Sequence, residues 1–151
     1  MSDNWIVIIP KNPLFRPRKS NFESALELLN QIAPEADEIT IINTEKVSFF
    51  DCGSNFESTS CPSCNALVSQ DAWHELMATD YENEGFLLRQ YPMSCCGNLH
   101  NLNELNYYFS QGFSVFAIEI MNPNINQLEA SALIKLESIL GNEVRVIYQH
   151  I

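Results

Sequence analysis

The sequence predicts an α+β fold, because both ends of the chain show the same succession of structural signals. At each end an apolar run leads into an Asn-Pro turn, then into a capped helix, and then into a second β-branched run. Two such halves make a β-α-β-β-α-β sandwich of the ferredoxin-like class, a split βαβ arrangement with both helices on one sheet face. We assign this core to residues 1–44 and 112–151, and an inserted module to residues 45–111.

The first half begins with the unbroken apolar run of residues 5–9, which is typical of a strand buried on both faces. Asn12-Pro13 follows as a turn. Ser20 and Glu23 then form a capping-box pattern that predicts the start of a helix. Residues 38–42 complete this half as its second strand.

The second half repeats this order. Residues 113–120 form a predicted strand, and Asn122-Pro123 resemble the earlier turn. Asn124 and Gln127 predict the cap of the second helix, and residues 144–148 are the final strand. Because both helices should cover the same face, the other face of the sheet is expected to be open and to need a cover.

The inserted module shows shorter signals. Residues 47–60 predict a hairpin, Ser69 the cap of a short helix, and residues 86–91 a strand. Asn101 and Glu104 form a further capping-box pattern, which predicts one more helix. The hairpin and the strand each lead the chain into a turn that carries cysteines.

These two turns indicate a metal site. The first is a Cys-x-x-Cys sequence with Pro62 inside it, a spacing that brings two thiolates to the separation that a tetrahedral metal requires. Asn65 and Gly97 end the two turns, and both residue types tolerate the left-handed conformation that such turns need. The predicted ligands of a structural zinc ion are Cys61, Cys64, Cys95 and Cys96. On these residues the module resembles a zinc ribbon.

The second turn departs from the zinc-ribbon pattern. Met93 stands where the usual pattern has a Cys, and a thioether is a poor zinc ligand. Either both cysteines of this turn bind, or His100 replaces one of them, and Cys52 is a further alternative ligand. Buried thiols without metal and redox chemistry at the Cys-x-x-Cys pair are the other interpretations. A shell closed by four thiolates makes a zinc ion structural, since a catalytic zinc keeps one position open.

The charge balance narrows the class of partner. Eight basic residues stand against 19 acidic ones, and the formal net charge is −11. Such a charge repels nucleic acids and anionic membranes, and it attracts a basic protein. No run approaches the ~20 apolar residues of a membrane span, and no signal-peptide pattern opens the sequence. With an odd number of cysteines, five, we expect a cytoplasmic protein.

The sequence shows no arrangement typical of a catalytic site. Its histidines, His74, His100 and His150, lack the spacing of a paired metal site. The sequence has neither a Gly-rich phosphate loop nor a Gly-x-Ser-x-Gly elbow. These observations favour a non-catalytic protein-binding module. A metal-dependent or thiol-based enzyme is the alternative interpretation.

Several stretches carry a resemblance to a known group of proteins. They are residues 50–56, the Cys-Pro-Ser-Cys turn, and the Cys-Cys-Gly turn followed by residues 102–105 (Leu-Asn-Glu-Leu). Over most of its length the chain is similar to a family of small, acidic, uncharacterised bacterial cytosolic proteins. The resemblance implies an immunity or inhibitor protein that masks a basic bacterial toxin.

Overall fold

Residues 3–151 are the part of the chain that the computed structural model describes, and their α+β class is as predicted. The helices are α1 (Phe22–Ile32), α2 (Gln70–Asp80) and α3 (Ala130–Leu140). The strands are β1 (Asn4–Pro10), β2 (Glu38–Phe50), β3 (Ser58–Ser60), β4 (Leu67–Val68), β5 (Tyr81–Glu82), β6 (Gly85–Phe86), β7 (Tyr91–Pro92), β8 (Leu99–His100), β9 (Asn106–Tyr108), β10 (Gly112–Met121) and β11 (Val144–His150). None of the helices in this part of the chain is long and apolar enough to cross a membrane.

The four longest strands form one antiparallel sheet in the order β11-β1-β10-β2. β1 pairs with β11 over its full length, from Asn4 opposite His150 to Pro10 opposite Val144. β10 pairs with β1 on one side and with β2 on the other. The strands before and after the inserted residues are therefore hydrogen-bonded neighbours, and β2 and β11 form the two edges.

Both α1 and α3 pack on one face of this sheet. Leu29 of α1 and Leu136 of α3 are each 1% exposed, and they share a cluster with the strand residues Ile8, Phe116 and Ile118. Burial of one such leucine side chain contributes roughly 1.5–3 kcal/mol relative to its exposure. The alternation of side chains along each strand directs the next residues to the opposite face.

The opposite face is covered by the chain that follows β2. The buried cluster on this face consists of Val7, Ile9, Cys52, Ala117 and Ile147, with Phe50 and Phe56 partly buried against it. Ser54 fastens the covering segment to β11, because its backbone N–H donates to His150 O at 2.9 Å. The expectation of an open face is therefore wrong, since inserted residues bury the apolar side chains at its centre.

The central sheet and the inserted module share one buried hydrophobic cluster, to which the end of β2 and the start of β10 contribute. Phe49 lies opposite Phe113, beyond a register shift between Ser114 and Phe116. The predicted boundary between residues 44 and 45 lies inside β2. The shared cluster consists of Val47, Cys61, Trp73, Met93, Leu102, Leu105, Phe113 and Val115. The module thus folds against the sheet, and each stabilises the other.

The predicted hairpin over residues 47–60 is wrong. Val47 and the three residues after it continue β2, and residues 48–50 pair with β10, whereas β3 pairs with β4 and β9. Gly53, with a φ of 64°, turns the chain toward β11. The physical reason is that these residues extend the antiparallel pairing of β2 with β10, so their backbone groups are paired across the sheet and not in a local hairpin.

Two helix starts test the capping predictions. Ser69 caps α2 as predicted, because its Oγ accepts a hydrogen bond from Ala72 N–H at 3.1 Å. The capping box of Ser20 and Glu23 is wrong, since a short 3-10 turn precedes α1 and the helix begins at Phe22 without a side-chain cap.

The other two predicted caps lie on loops and turns. Asn101 and Glu104 form the predicted capping box, but it encloses only a 3-10 turn, Leu102–Glu104. α3 begins at Ala130, later than predicted, and Asn124 adopts a left-handed φ of 57° in the loop before it.

Candidate metal centre

The two cysteine turns of the module meet at one point. The Sγ atoms of Cys61, Cys64, Cys95 and Cys96 all lie within 4.8 Å of one another. Cys64 Sγ is 3.2 Å from Cys95 Sγ, and Cys61 Sγ is 3.8 Å from Cys96 Sγ. All four are free thiols. A tetrahedral zinc ion with bonds of about 2.3 Å places its sulfur ligands about 3.8 Å apart, so this group could bind a metal ion.

The first turn is closed by two backbone hydrogen bonds. Cys61 N–H donates to Ala66 O at 2.9 Å, and Asn65 N–H donates to Cys61 O at 2.9 Å. Asn65 has a left-handed φ of 62°, which asparagine tolerates better than most side chains. β3 leads into the turn and β4 leads out of it, so the antiparallel pair holds both ends of the Cys-x-x-Cys sequence.

The second turn repeats this backbone arrangement between β7 and β8. Met93 N–H donates to Asn98 O at 2.9 Å, and Gly97 N–H donates to Met93 O at 2.7 Å. Gly97 has a φ of 77°, in the same left-handed region as the residue that ends the first turn. The two turns are therefore matched, and Met93 takes the position that Cys61 takes in the first.

This correspondence explains why the second turn contains adjacent cysteines. Cys96 matches Cys64, and Cys95 matches Ser63. Met93 is 5% exposed and packs in the shared hydrophobic cluster, away from solvent. The structure brings Cys95 into the group as the sulfur that the Met93 position lacks.

The group is packed on one side and open on the other. Cys61 is fully buried in the shared cluster, whereas Cys64, Cys95 and Cys96 are exposed. A metal ion in this group would be anchored to the hydrophobic core through one ligand and would be accessible to chelators through the other three.

Hydrogen bonding favours one thiolate within the group. Burial opposes the ionisation of Cys61, but backbone N–H groups of Cys64 and Ser63 and the thiols of Cys95 and Cys96 outweigh it and lower its pKa to about 6. The hydrogen bond with Cys64, followed by burial, raises the pKa of Cys95 to about 12. Because metal ligation requires thiolates, binding of a metal ion would release the remaining protons.

His100 lies beside the sulfur group and is not part of it. Its Nε2 is 2.6 Å from Ser63 Oγ, and its Nδ1 is 3.5 Å from Glu104 Oε2. Glu104 in turn accepts a hydrogen bond from Asn101 N–H at 2.9 Å. The imidazole therefore connects the first cysteine turn to the segment that follows the second. No spacing signal in the sequence marks the contact of Ser63 with His100.

Cys52, the other alternative ligand, belongs to a different cluster. It is fully buried on the second face of the sheet, where its Sγ is 3.4 Å from Gln111 Oε1. Burial is the main cause that raises the pKa of this thiol. Cys52 is therefore a buried thiol of the second-face cluster and does not belong to the sulfur group.

Comparison with known proteins adds no relative to this picture. No protein-family model, curated protein or solved structure matches the chain.

The chemistry of the sulfur group follows from its donors. Four sulfur atoms in a tetrahedral arrangement are typical of zinc and of iron–sulfur sites. In the absence of metal, the exposed thiols of Cys64 and Cys95 are close enough to react with each other on oxidation. The geometry of the four sulfur atoms thus supports metal binding, and the close pair of Cys64 and Cys95 also permits thiol oxidation.

Proposed function

We propose that the four cysteines hold one structural zinc ion, and that the chain acts as a non-catalytic binding module for a basic protein. The observation that carries the zinc proposal is the closed group of four sulfur atoms within 4.8 Å. Four sulfur donors complete the tetrahedral shell of zinc and leave no position for water or substrate. The ion would then fix the two matched turns to each other.

We also propose that the central sheet and the helices α1 and α3 form a ferredoxin-like core. Within the core, the long strands stand in the sheet in the order fourth, first, third and second. α1 connects the first strand to the second, and α3 connects the third to the fourth. This order supports the split βαβ arrangement.

Metal analysis tests the zinc proposal directly. Protein purified without chelator should contain about one zinc ion per chain, as a closed four-sulfur shell requires. Replacement by Co²⁺ should give the visible absorption of a tetrahedral cobalt–thiolate centre. Metal-free protein that stays folded and takes up neither ion would refute the proposal. If the purified protein contains iron and sulfide in place of zinc, the site is an iron–sulfur centre and the zinc proposal is wrong.

The case for a basic partner rests on unpaired surface charge. The net charge is −11, and among residues 3–151 only Glu82 and Glu143 form ion pairs with a Lys or Arg side chain. Both pairs are exposed, and such pairs contribute little to stability. Most carboxylates are thus available to attract a basic protein and to accelerate its association. An immunity or inhibitor protein that masks a basic bacterial toxin has this property.

The two cysteine turns offer apolar side chains for such a contact. Leu67 begins β4 after the first turn and is 76% exposed, and Leu99 begins β8 after the second turn and is 59% exposed. A single exposed leucine is normal on a protein surface. A matched pair on turns that a metal ion holds rigid is suited to anchor a partner, because rigid apolar anchors lose little entropy on binding.

A binding experiment tests the partner proposal. The tagged chain should capture a basic protein from its own host in stoichiometric amount, and the affinity of the purified pair should fall as salt is added. Leu67→Asp with Leu99→Asp should weaken this affinity at least about tenfold. Leu87→Asp changes an exposed leucine outside the cysteine turns and is the matched control. A salt-independent complex, or no stoichiometric partner, would contradict the proposal.

An enzyme that uses a thiol or a metal ion is the second candidate function. One observation favours it, the exposed pair of Cys64 and Cys95 with sulfur atoms 3.2 Å apart. The variant Cys64→Ser separates the two candidates. A structural site should lose metal and stability in this variant, whereas an enzyme should keep its fold and lose turnover.

A further inference from the structure

We propose a second ligand site, an open cleft at one end of the central sheet that binds a neutral saccharide. The cleft has a volume of about 890 Å³, within the ~300–1,000 Å³ of small-molecule sites. It lies between the start of β1, the loop after β10 and the end of β11, and the inserted module adds Asn55 and Phe109 to its wall. No cysteine lines it, so the site is separate from the sulfur group.

The residues that line the cleft are mostly amide-bearing and aromatic. Within the described residues 3–151, seven of them are Asn or Gln, three are aromatic, and none is Lys, Arg, Asp or Glu. The aromatic residues are Trp5, Phe109 and Tyr148. Trp5 packs partly against the cluster on the covered face and Tyr148 partly against the helix-face cluster, so Phe109 is the most exposed of the three rings. A sugar presents apolar C–H faces, which suit aromatic rings, and hydroxyl groups that both donate and accept, which suit amides. A lining without charge, in a chain of net charge −11, favours a neutral ligand.

Carboxylates next to the lining residues hold two of the amides in a fixed orientation. Asn122 Nδ2 donates to Asp3 Oδ1 at 3.1 Å and to Asp37 Oδ2 at 2.8 Å. Gln149 Nε2 donates to Asp51 Oδ1 at 2.7 Å. Since this bond uses the amide nitrogen, the carbonyl oxygen of Gln149 is the part that can accept from a ligand hydroxyl. The three carboxylates also oppose an anionic ligand.

Of the other five amides, Asn4 and Asn55 are held by hydrogen bonds, and the three on the loop before α3, Asn124, Asn126 and Gln127, are exposed. Asn55 Nδ2 donates to Tyr148 O at 3.0 Å, which leaves the Asn55 carbonyl oxygen as an acceptor. The cleft thus combines fixed acceptors, which reduce the entropy cost of binding, with adaptable amides that can follow different hydroxyl patterns.

A titration of the isotope-labelled full chain tests the site. The probes are glucose, galactose, mannose, N-acetylglucosamine and maltose, each uncharged, with glucuronate as the anionic comparison. The chain has two tryptophans, and the indole N–H signals of Trp5 in the cleft and Trp73 in the shared cluster report separately. We expect at least one sugar to shift the Trp5 signal and not that of Trp73. Glucuronate should bind at least about tenfold more weakly than that sugar.

Variants of the wall complete the test. Phe109→Ala should weaken the binding of that sugar about tenfold, because the ring contact is lost. Asn126→Ala with Gln127→Ala, both at exposed positions that should leave folding intact, should weaken it to a similar extent. Gln31→Ala, an exposed amide on α1, is the matched control and should leave binding unchanged.

Three results would overturn the proposal. The first is that no sugar shifts the Trp5 signal. The second is that glucuronate, or an uncharged blocked dipeptide used as a comparison, binds in preference to every sugar. The third is that the cleft variants bind as the control does.

Discussion

Met93 is the structural counterpart of Cys61. Each opens a cysteine turn with a backbone N–H that donates at 2.9 Å, Cys61 to Ala66 O and Met93 to Asn98 O. Both side chains are buried in one hydrophobic cluster, Met93 at 5% and Cys61 at 0% exposed. The two positions are thus equivalent in backbone and environment. They differ in the side chain, since Met93 has a thioether in place of a thiol, and Cys95 supplies the missing thiol to the group.

This equivalence predicts a rescue. Cys95→Ser should abolish stoichiometric metal binding, because only three thiols remain. Adding Met93→Cys to that variant should restore about one zinc ion per chain, since the new thiol stands at the place in the second turn that is equivalent to Cys61 in the first. Metal content and competition with a chelator measure both steps. Met93→Leu in the native chain is the control and should retain the metal. A double variant that stays as metal-poor as the single one would contradict the equivalence.

A second prediction concerns the two alternative ligands. His100→Ala and Cys52→Ala should each retain the metal, because neither side chain is in the sulfur group. His100→Ala should lower the free energy of unfolding by about 1 kcal/mol through loss of its hydrogen bond to Ser63. Metal analysis and urea unfolding measure these effects. Loss of metal from His100→Ala, with Cys95→Ser unaffected, would make the imidazole the fourth ligand.

A third prediction compares two glycines with left-handed backbones. Gly53 has a φ of 64°, and a Cβ there would clash with the backbone carbonyl of His150. Gly97 has a φ of 77° and open space around it. Gly97→Ala should therefore cost about 1 kcal/mol from the backbone conformation alone. Gly53→Ala should cost at least about 2 kcal/mol more, since the covering segment must move off β11. Equal losses in urea unfolding would show that the close approach is not needed.

A fourth prediction concerns the link between β11 and the inserted module. Arg145 Nη1 donates to Gln111 O at 2.7 Å, and Arg145 Nη2 donates to Asn103 O at 3.3 Å. Burial is the main cause that lowers the pKa of this guanidinium. Arg145→Met should destabilise the fold by about 2–3 kcal/mol, because it leaves partly buried carbonyls without a charged donor. Arg18→Met at an exposed position is the control. Similar unfolding midpoints for both variants would exclude this role of Arg145.

A fifth prediction is a pH dependence at the capping box. The hydrogen bond from Asn101 N–H is the main cause that lowers the pKa of Glu104 below its usual value of 4.5. Ionised Glu104 therefore adds stability above about pH 4.5, and this part is lost as the pH falls through the lowered pKa. Glu104→Gln keeps an acceptor oxygen and removes the charge. The native chain should exceed it in stability at neutral pH by less than about 1 kcal/mol, because the side chain is 44% exposed.

That advantage should disappear in acid, measured by urea unfolding of both chains in the same buffers. If the difference in unfolding free energy between the two chains persists unchanged to low pH, it comes from the side-chain geometry and not from the charge of Glu104.

Local chemistry accounts for what could be read from the sequence. The strand formed by Ile6 and its neighbours was predictable because a long apolar run has few other structures open to it. The cap at Ser69 was predictable because it depends on residues three apart. The end of β2 and the segment around Gly53 were not predictable in this way. They depend on pairing with β10 and β11, which are distant in the chain, and such pairing outweighed a local hairpin.

The sequence by itself determined which side chains can supply sulfur and where the turns that carry them begin and end. Only the tertiary structure decided that Cys95 and Cys96 both join the group while His100 turns to Ser63. The physical reason is that the burial of Cys61 and Met93 in one cluster sets how the two turns face each other. That packing joins segments far apart in the chain, so no spacing rule within either turn contains it.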